Sequence, residues 1–343
     1  MKSALLLFVV FFAFATSYGQ TKAWDVKANS FFDNTEFGKS TVTDDQTMAG
    51  IRLAPAVGLA WNKHRLMAGV DVLHEYGSNN CIDAQQLIAY YRYASNTSLA
   101  STFYMGAFPR KEAIGTYPRV FFQDSINYYR PIVNGMSYAL EKDKNTLLVW
   151  LDWTGKQSST ERETFFVGLT GRLQKKLFFV QHYSYLMHYA KMKSPPANQF
   201  IHDNSLMLNT IGMDLSTKTA CNKLEIQLGW LMGLEDNRGT SNWLQHNGLF
   251  VSASVDYKRI GLTNSFYYGE KQFNFYPNEG NKLYWGNPFY RLAQYNRTDI
   301  SAYLIQSDKV NAKLVYSLHS AEKKLFHEQA LIVSVLLNNY TKE

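Results

Sequence analysis

Apolar and polar residues alternate along residues 221–239, CNKLEIQLGWLMGLEDNRG. Leu224 and Ile226 fall on one parity, whereas Lys223 and Glu225 fall on the other. A period of two is typical of a β-strand, whose successive side chains point to opposite faces of a sheet. The segment therefore predicts a strand with one polar face and one strongly apolar face, and something other than water must cover the apolar face.

The same alternation recurs along the whole chain, in about sixteen segments of roughly ten residues or a little more. This length suits tilted strands that cross a bilayer. We expect strands over residues 22–32, 48–61, 65–75, 84–94, 99–109, 131–141, 146–155, 162–174, 177–190, 204–215, 222–233, 243–257, 260–269, 295–306, 310–318 and 326–338.

The connectors between these segments alternate between short and long. Short connectors include 62–64 and 258–259, long ones include 110–130 and 270–294, and the intermediate connector 319–325 falls in the long series. Bacterial outer-membrane barrels sort their connectors in this way, with short periplasmic turns and long extracellular loops. We therefore predict an all-β chain that folds as a transmembrane antiparallel β-barrel of about 16 strands. Lipid then covers the apolar face, and closure of the sheet leaves no unpaired strand edge.

The start of the chain, MKSALLLFVVFFAFATSYGQ, has the features of a secretory signal peptide. An apolar run over residues 4–15 is too short to span a bilayer as a helix. Ser17 and Gly19 are the small residues of a cleavage site. We expect residues 1–19 to be removed on export, and residues 20–343 to form a single barrel domain integral to the outer membrane of a Gram-negative bacterium.

Composition excludes several other classes of protein. The formal net charge is +7, but no clustered basic run marks a nucleic-acid module. Cys81 and Cys221 are the only cysteines, which is too few for a disulfide scaffold. In the predicted topology they lie at opposite ends of the barrel, beyond disulfide reach. Aromatic residues reach 15%, and Trp61, Trp153 and Trp230 lie near proposed strand ends, where they suit the aromatic girdles of a membrane barrel.

The inward face of such a barrel would carry charges of both signs. A barrel of about sixteen strands is wide enough for a water-filled lumen, unless loops fill it. The inward charges either support the wall as ion pairs or form a field that selects solutes by charge. The predicted lumen-lining charges are Arg92, Arg172, Lys223, Glu225, Asp256, Arg297 and Asp299.

Two long connectors, 108–131 and 270–294, combine aromatic and basic residues. We expect one or both to fold into the mouth of the barrel and constrict it. Aromatic faces beside arginine suit stacking on sugars or binding of anions; alternatively, the aromatic residues only pack the loops against each other. The predicted constriction and ligand contacts are Arg110, Arg119, Arg130 and Arg291, with Tyr284, Trp285 and Tyr290 as a stacking platform.

The sequence contains neither a G-x-S-x-G nucleophile elbow nor an H-E-x-x-H zinc motif. His182 and Ser184 lie two apart in HYSYLMH, so they share a strand face and could act as base and nucleophile beside an acid. His188 has the same parity but lies about 20 Å along the strand, too far to join one metal site. Strand histidines without a partner acid are more often structural. We therefore expect no catalytic residues, no metal, no cofactor and no enzyme activity.

Several segments resemble outer-membrane barrel proteins of Bacteroidota that are loosely called porin-like. These segments are SYGQ near the start, GAFPR (106–110), WLDWTGKQ (150–157), HDNS (202–205) and LYWGNPFYR (283–291). The resemblance extends over most of the chain after the signal. It implies an outer-membrane location and a barrel fold, and it carries over no catalytic residue.

These observations favour a porin-like channel for passive uptake of small hydrophilic solutes, such as anions or oligosaccharides. The expected partners are membrane lipid, lipopolysaccharide and those solutes, without nucleic acid. The oligomeric state is left open. Two alternatives remain: a non-conducting barrel that serves as a surface receptor or scaffold, and, less favoured, an outer-membrane hydrolase of lipid or polysaccharide.

Overall fold

A computed structural model of the chain describes residues 19–240, 242–275, 279 and 282–340. The predicted signal peptide lies almost entirely outside the described residues. The described part is all-β apart from a few short helical turns. No helix within it is long and apolar enough to cross a membrane.

Sixteen antiparallel strands form one closed barrel in which each strand pairs with its neighbours in sequence. The first and last strands close the ring, with Phe32 opposite Leu331. The predicted transmembrane β-barrel is therefore confirmed. The strands are β1 (Thr21–Glu36), β2 (Gln46–Trp61), β3 (His64–Glu75), β4 (Ala84–Ser95), β5 (Ala100–Pro109), β6 (Ile132–Lys142), β7 (Asn145–Gly155), β8 (Thr164–Lys175), β9 (Phe178–Tyr189), β10 (Ile201–Asp214), β11 (Lys223–Arg238), β12 (Leu244–Tyr257), β13 (Ile260–Gly269), β14 (Gln294–Gln306), β15 (Val310–Ala321) and β16 (Lys324–Asn338).

The outer wall is apolar, as the alternation predicts. In β11, Ile226 and Leu228 are 51% and 46% exposed on the outside, whereas Glu225 and Gln227 face the lumen. Every backbone N–H and C=O group within the bilayer must be hydrogen-bonded internally, and the closed ring provides a partner strand on both sides of each strand. Lipid covers the exposed side chains of the outer wall. Trp230 is not near a strand end, because β11 continues to Arg238.

One end of the barrel carries the short turns and the other carries the long loops. Asn62, Asp143, Lys176 and Lys258 adopt positive φ angles in the short turns, a conformation that tight hairpins require. The connector expected at 319–325 is shorter than predicted: β15 reaches Ala321 and β16 begins at Lys324. Cys81 and Cys221 are both free, at opposite ends of the barrel.

Two long loops fill the interior. Loop A (residues 110–131) contains two short helices, α1 (Arg110–Ala113) and α2 (Ile126–Tyr129). Loop B (residues 270–293) ends in a 3₁₀ turn, Pro288–Arg291. Phe121 in loop A and Phe289 in loop B are fully buried, so the described part of each loop reaches the core of the molecule. We call loops A and B together the plug.

Candidate functional site

The two loops of the plug are joined to each other. The Tyr284 hydroxyl donates to the carbonyl of Val120 over 2.6 Å, and the Asn287 amide donates to the carbonyl of Arg119 over 2.8 Å. Gly286 makes this contact possible, because a Cβ there would lie 2.2 Å from the Tyr284 hydroxyl. The loops therefore form one packed body within the barrel.

The plug also contacts opposite walls of the barrel. Trp150 of β7 donates from its indole nitrogen to the Tyr117 hydroxyl over 2.6 Å. Arg52 of β2 donates to the carbonyl of Tyr128 over 2.7 Å. On a third side, the buried Tyr290 ring lies 5.0 Å from Tyr295 of β14. Packing from wall to wall makes the plug part of the core.

Arg119 ties loop A to β14. Its guanidinium contacts Asp124 of the same loop at 2.6 Å and Asp299 of β14 at 2.7 Å. Burial and the neighbouring Arg297 lower the pKa of Arg119, but the two carboxylates outweigh them and hold it above its ordinary value. The positive charge of Arg119 is therefore balanced by two carboxylates, which indicates a structural role in holding loop A to β14.

Arg110 and Arg130 flank Trp285 of loop B. The guanidinium carbons lie 5.9 and 4.8 Å from the centre of the indole ring. Arg110 is 4% exposed and forms an ion pair with Asp152 of β7, whereas Arg130 is exposed. The structure thus brings together three of the residues predicted to contact a ligand.

The other predicted contacts of loop B belong to its packing. Tyr284 stacks on Phe273 with ring centres 4.5 Å apart. Burial raises the pKa of Tyr290 to about 12. Arg291 ends the 3₁₀ turn and is partly buried. Tyr284, Trp285 and Tyr290 are each at most 7% exposed, so they do not form an open stacking platform.

The predicted lumen-lining charges all lie on the inward face, and most have partners there. Arg172 reaches across two strands to Glu225 at 2.8 Å, and Glu225 also contacts Lys223 at 3.2 Å. Arg92 donates to the Tyr104 hydroxyl over 3.1 Å. Asp256 faces inward near the short-turn end, opposite Gly261. Arg297 contacts Asp299 at 2.7 Å.

A second group of polar residues lies on the opposite face of the wall, towards lipid. In β9, Val180 and Leu186 are 48% and 41% exposed on the outside, whereas Phe179 and Tyr185 are buried inside. His182 and Ser184 have the parity of Val180 and therefore point outwards, in the middle third of the strand.

His182 is hydrogen-bonded at both ring nitrogens. Its Nε2 lies 2.8 Å from the Ser184 Oγ, and its Nδ1 lies 2.8 Å from the Asn209 Oδ1 on β10. Because the amide oxygen can only accept, Nδ1 must carry the proton, and Nε2 is left to accept from the serine hydroxyl. This is the arrangement of a general base beside a nucleophile, with Asn209 in the orienting position.

An apolar groove begins below this triad on the same wall. Val180 and Ile211, each two residues from a member of the triad, line it. Its volume is about 950 Å³. Further lining side chains are Leu173, Phe178, Ile226 and Leu228.

A charged cluster lies above the triad, at the long-loop end of the same wall. The His188 Nδ1 contacts Asp203 at 2.6 Å, and Asp203 also contacts the Nε of Arg238 at 2.5 Å. Phe165 packs against His188, with ring centres 5.0 Å apart, and Trp153 packs against Phe165. We call His188, Asp203 and Arg238 the rim cluster. Within the described ranges, no group of three or more histidine, cysteine or acidic side chains is arranged to hold a metal ion.

Asn209 and Asp203 were both missed by sequence reasoning. Asn209 is 27 residues from His182 in sequence, and Asp203 is 15 residues from His188. Each residue contacts its histidine only because β9 pairs with β10. Asn209 has the same parity as the apolar Ile211, which indicates that both lie on the outer face, but an amide is not the acid that a catalytic triad usually contains.

Known proteins match the chain at the level of both family and fold. A family model described as lipid A 3'-O-deacylase-type matches residues 16–322. Among solved structures, OmpT of Vibrio cholerae in a trimer form is similar with a TM-score of 0.55 and 9% identity, over 93% of this chain and 100% of that one. OmpF of Salmonella typhi in complex with daunomycin is similar with a TM-score of 0.51 and 10% identity, over 93% and 98% of the two chains. No protein with a curated description matches.

These matches support the outer-membrane, porin-like barrel and correct one expectation. At such low identities the solved structures establish the fold alone. The family match contradicts the prediction that the chain is not an enzyme, because the family is described by a hydrolytic activity. That prediction, which kept a hydrolase as the less favoured alternative, rested on the absence of common soluble-enzyme motifs and of an acid beside His182, and it was wrong.

Proposed function

Because the chain belongs to the lipid A 3'-O-deacylase-type family, we propose that it hydrolyses an ester-linked acyl chain of lipid A from the outer wall of its barrel. The observation that carries this proposal is the hydrogen-bonded series Ser184–His182–Asn209 on the lipid-facing surface. Polar and ionisable side chains facing lipid are costly and tend to mark function. A lipid substrate reaches this surface by diffusing within the membrane.

The residues support a two-step acyl transfer. The Ser184 oxygen attacks the ester carbonyl while the His182 Nε2 takes the hydroxyl proton. His182 then returns the proton to the departing sugar oxygen. The acyl group remains bonded to the Ser184 oxygen as an acyl-serine. In the second step the His182 Nε2 takes a proton from a water molecule whose oxygen attacks the acyl carbonyl. The bond to the Ser184 oxygen then breaks, His182 returns the proton to that oxygen, and the fatty acid is released. The net change is the addition of one water to one ester bond.

Asn209 and the groove have separate roles in this scheme. Asn209 holds the imidazole in the tautomer that leaves Nε2 free to accept a proton. An amide carries no charge to stabilise the imidazolium, so we expect a slower reaction than an acidic partner would give. The groove below the triad, lined by Val180 and Ile211, offers an apolar surface for the acyl chain.

The test is release of fatty acid from lipid A in mixed detergent micelles by the folded protein. Ser184→Ala should lower kcat by a factor on the order of 10³ or more. Ser205→Ala is the matched control, because Ser205 also faces outwards from β10 but bonds to the Tyr185 carbonyl. Its rate should equal that of the unmodified protein.

A third variant separates the triad from the rim cluster. His188→Gln removes the imidazole that contacts Asp203 but leaves Ser184 and His182 in place. We expect most of the activity to remain. Loss of activity in His188→Gln together with full activity in Ser184→Ala would move the chemistry to the rim cluster and contradict our assignment.

Passive uptake of small hydrophilic solutes is the second candidate. The sixteen-strand ring and the charged inner wall favour it. The plug opposes it, because loops A and B are packed together and against several walls. Such packing instead supports a non-conducting barrel, in which lipid and lipopolysaccharide are the partners and the outer wall is the working surface.

Single-channel recording in a planar bilayer tests this second candidate. We expect no stable conductance steps from protein shown to be folded. Stable steps of nanosiemens order, with a reversal potential in a salt gradient, would restore solute uptake as the leading function.

A further inference from the structure

The surroundings of Trp285 contain more positive than negative charge. Arg110 and Arg130 both approach this indole, and the Nε of Arg110 donates to the carbonyl of Arg130 over 2.8 Å. Asp152 is the one carboxylate in ion-pair contact with either arginine among the described residues. The two guanidinium groups are therefore accompanied by one ion-paired carboxylate, which contacts Arg110.

One donor of this pair has no partner. Arg110 is 4% exposed, and its Nη1 is buried without a hydrogen bond among the described residues. A buried donor left unpaired costs free energy, and a charged one costs more. The other nitrogens of this guanidinium are used: Nη2 contacts Asp152 and Nε contacts the Arg130 carbonyl.

The second arginine is exposed at the surface of the described structure. Arg130 is an exposed residue at the C-cap of α2, and the described residues give it no ion pair. Burial of part of its side chain and the nearby Arg110 lower its pKa, while Asp152 raises it. An anion could therefore approach past Arg130 and reach the charge that lies behind it.

We propose that Arg110 and Arg130 bind a small oxyanion, phosphate or carboxylate, beside the face of Trp285 in the lumen. The forked donors of arginine match the oxygens of such groups, and two arginines supply the net positive charge that one carboxylate leaves over. The unpaired Nη1 of Arg110 gains an acceptor, and the guanidinium of Arg130 contacts a second oxygen. The site is separate from Ser184, which faces lipid on the other side of the wall.

Calorimetric titration of the folded, full-length protein with inorganic phosphate tests this site. Ionic strength is held constant with sodium chloride, so that screening cannot produce the signal. We expect saturable binding to the unmodified protein and about tenfold weaker binding to Arg130→Gln. Arg130 is the better position to change, since Arg110 is part of a buried ion pair and its variants could fail to fold.

Lys111→Gln is the matched control. Lys111 is exposed in α1 next to Arg110, and Lys111→Gln removes the same charge as Arg130→Gln, but no contact of Lys111 with Trp285 is present among the described residues. Its affinity for phosphate should be unchanged. Equal weakening in Lys111→Gln and Arg130→Gln would reduce the effect to general charge and overturn the site, as would the absence of saturable heat in the unmodified protein.

Tryptophan fluorescence provides a second readout. Phosphate should quench the part of the emission that comes from Trp285 in the unmodified protein. In Trp285→Phe, phosphate should cause no quenching. Ser184→Ala should retain phosphate binding, so failure of the hydrolytic assignment and failure of the oxyanion site are distinguishable. Quenching that persists in Trp285→Phe would place the anion elsewhere.

Discussion

His182 illustrates how one residue acquires a chemical role from its two neighbours. Its Nδ1 faces an amide oxygen that can only accept, and its Nε2 faces a hydroxyl that can donate. The tautomer follows from this pairing. In the proposed mechanism, this pairing prepares the histidine to act as a base.

Removing Asn209 should separate orientation from nucleophilicity. Asn209→Leu keeps the approximate side-chain volume but removes the acceptor that fixes the tautomer of His182. We expect kcat for lipid A deacylation to fall by about 10- to 100-fold with KM little changed, a smaller loss than in Ser184→Ala. An equal fall in kcat and in binding, or no change in either, would contradict an orienting role.

The limits of sequence reasoning are clear at this scale. The i, i+2 spacing of His182 and Ser184 on a strand predicted a shared face, and they do meet. The partner Asn209 could not be identified, because the register between β9 and β10 depends on a connector of eleven residues, 190–200. That this face points to lipid follows from the structure, in which Val180 and Leu186 of the same parity are exposed on the outer wall.

At the scale of elements, the plug combines features that the sequence showed only in part. The abundance of aromatic residues predicted that one or both of loops A and B would fold inwards, and Phe121 and Phe289 show that both reach the core. Their mutual pairing through Tyr284 and Val120 could not be predicted, because it joins residues that are 164 positions apart. Local patterns carry no information about which distant loop fills the remaining space.

The plug should loosen at alkaline pH. Burial raises the pKa of Tyr290 to about 12, and it also raises the pKa of Tyr117. In the unfolded loops these groups would ionise near pH 10. Because the folded pKa is the higher one, the stabilisation is complete below about pH 10 and is lost as pH rises towards 12.

Tyrosinate absorbance during a base titration measures this transition. We expect a late, cooperative rise above about pH 10 that coincides with the loss of tertiary circular dichroism. Tyr257, which is exposed on the outer wall at the short-turn end, provides a comparison: Tyr257→Phe should leave the late phase intact. Simple ionisation of all tyrosines in one early phase would show that the plug does not protect them.

At the scale of the whole molecule, the barrel is the feature that the sequence predicted best. All sixteen predicted segments overlap a strand, and most of their bounds agree within three residues. The alternation was sufficient because the two faces of each strand lie in different solvents, lipid outside and protein or water inside. Strand ends were less certain where the sequence changes gradually from alternating to polar residues. β11 is an example, because it extends five residues beyond its predicted end at 233.

Adjacent residues of β11 offer a test of that difference between the faces. Leu228→Arg places a charge on the lipid side, whereas Gln227→Arg places the same charge in the lumen. We expect the first to reduce the free energy of unfolding by about 2–4 kcal/mol and the second to change it little. Unfolding by denaturant in lipid vesicles measures both. Equal effects would show that this wall does not face the hydrocarbon.

The contacts of loop A with several walls have a mechanical consequence. Glu112 meets Lys27 of β1, the Tyr128 carbonyl meets Arg52 of β2, and Asp124 meets Arg297 of β14. These contacts connect loop A to the barrel wall on both sides of the β1–β16 closure and so support the cylinder from within. A hollow tube flattens when the lateral pressure of the bilayer changes, whereas a braced cylinder keeps its cross-section. A constant cross-section keeps the curvature of the whole ring constant, including the wall of β9 and β10 on which we propose that the reaction takes place.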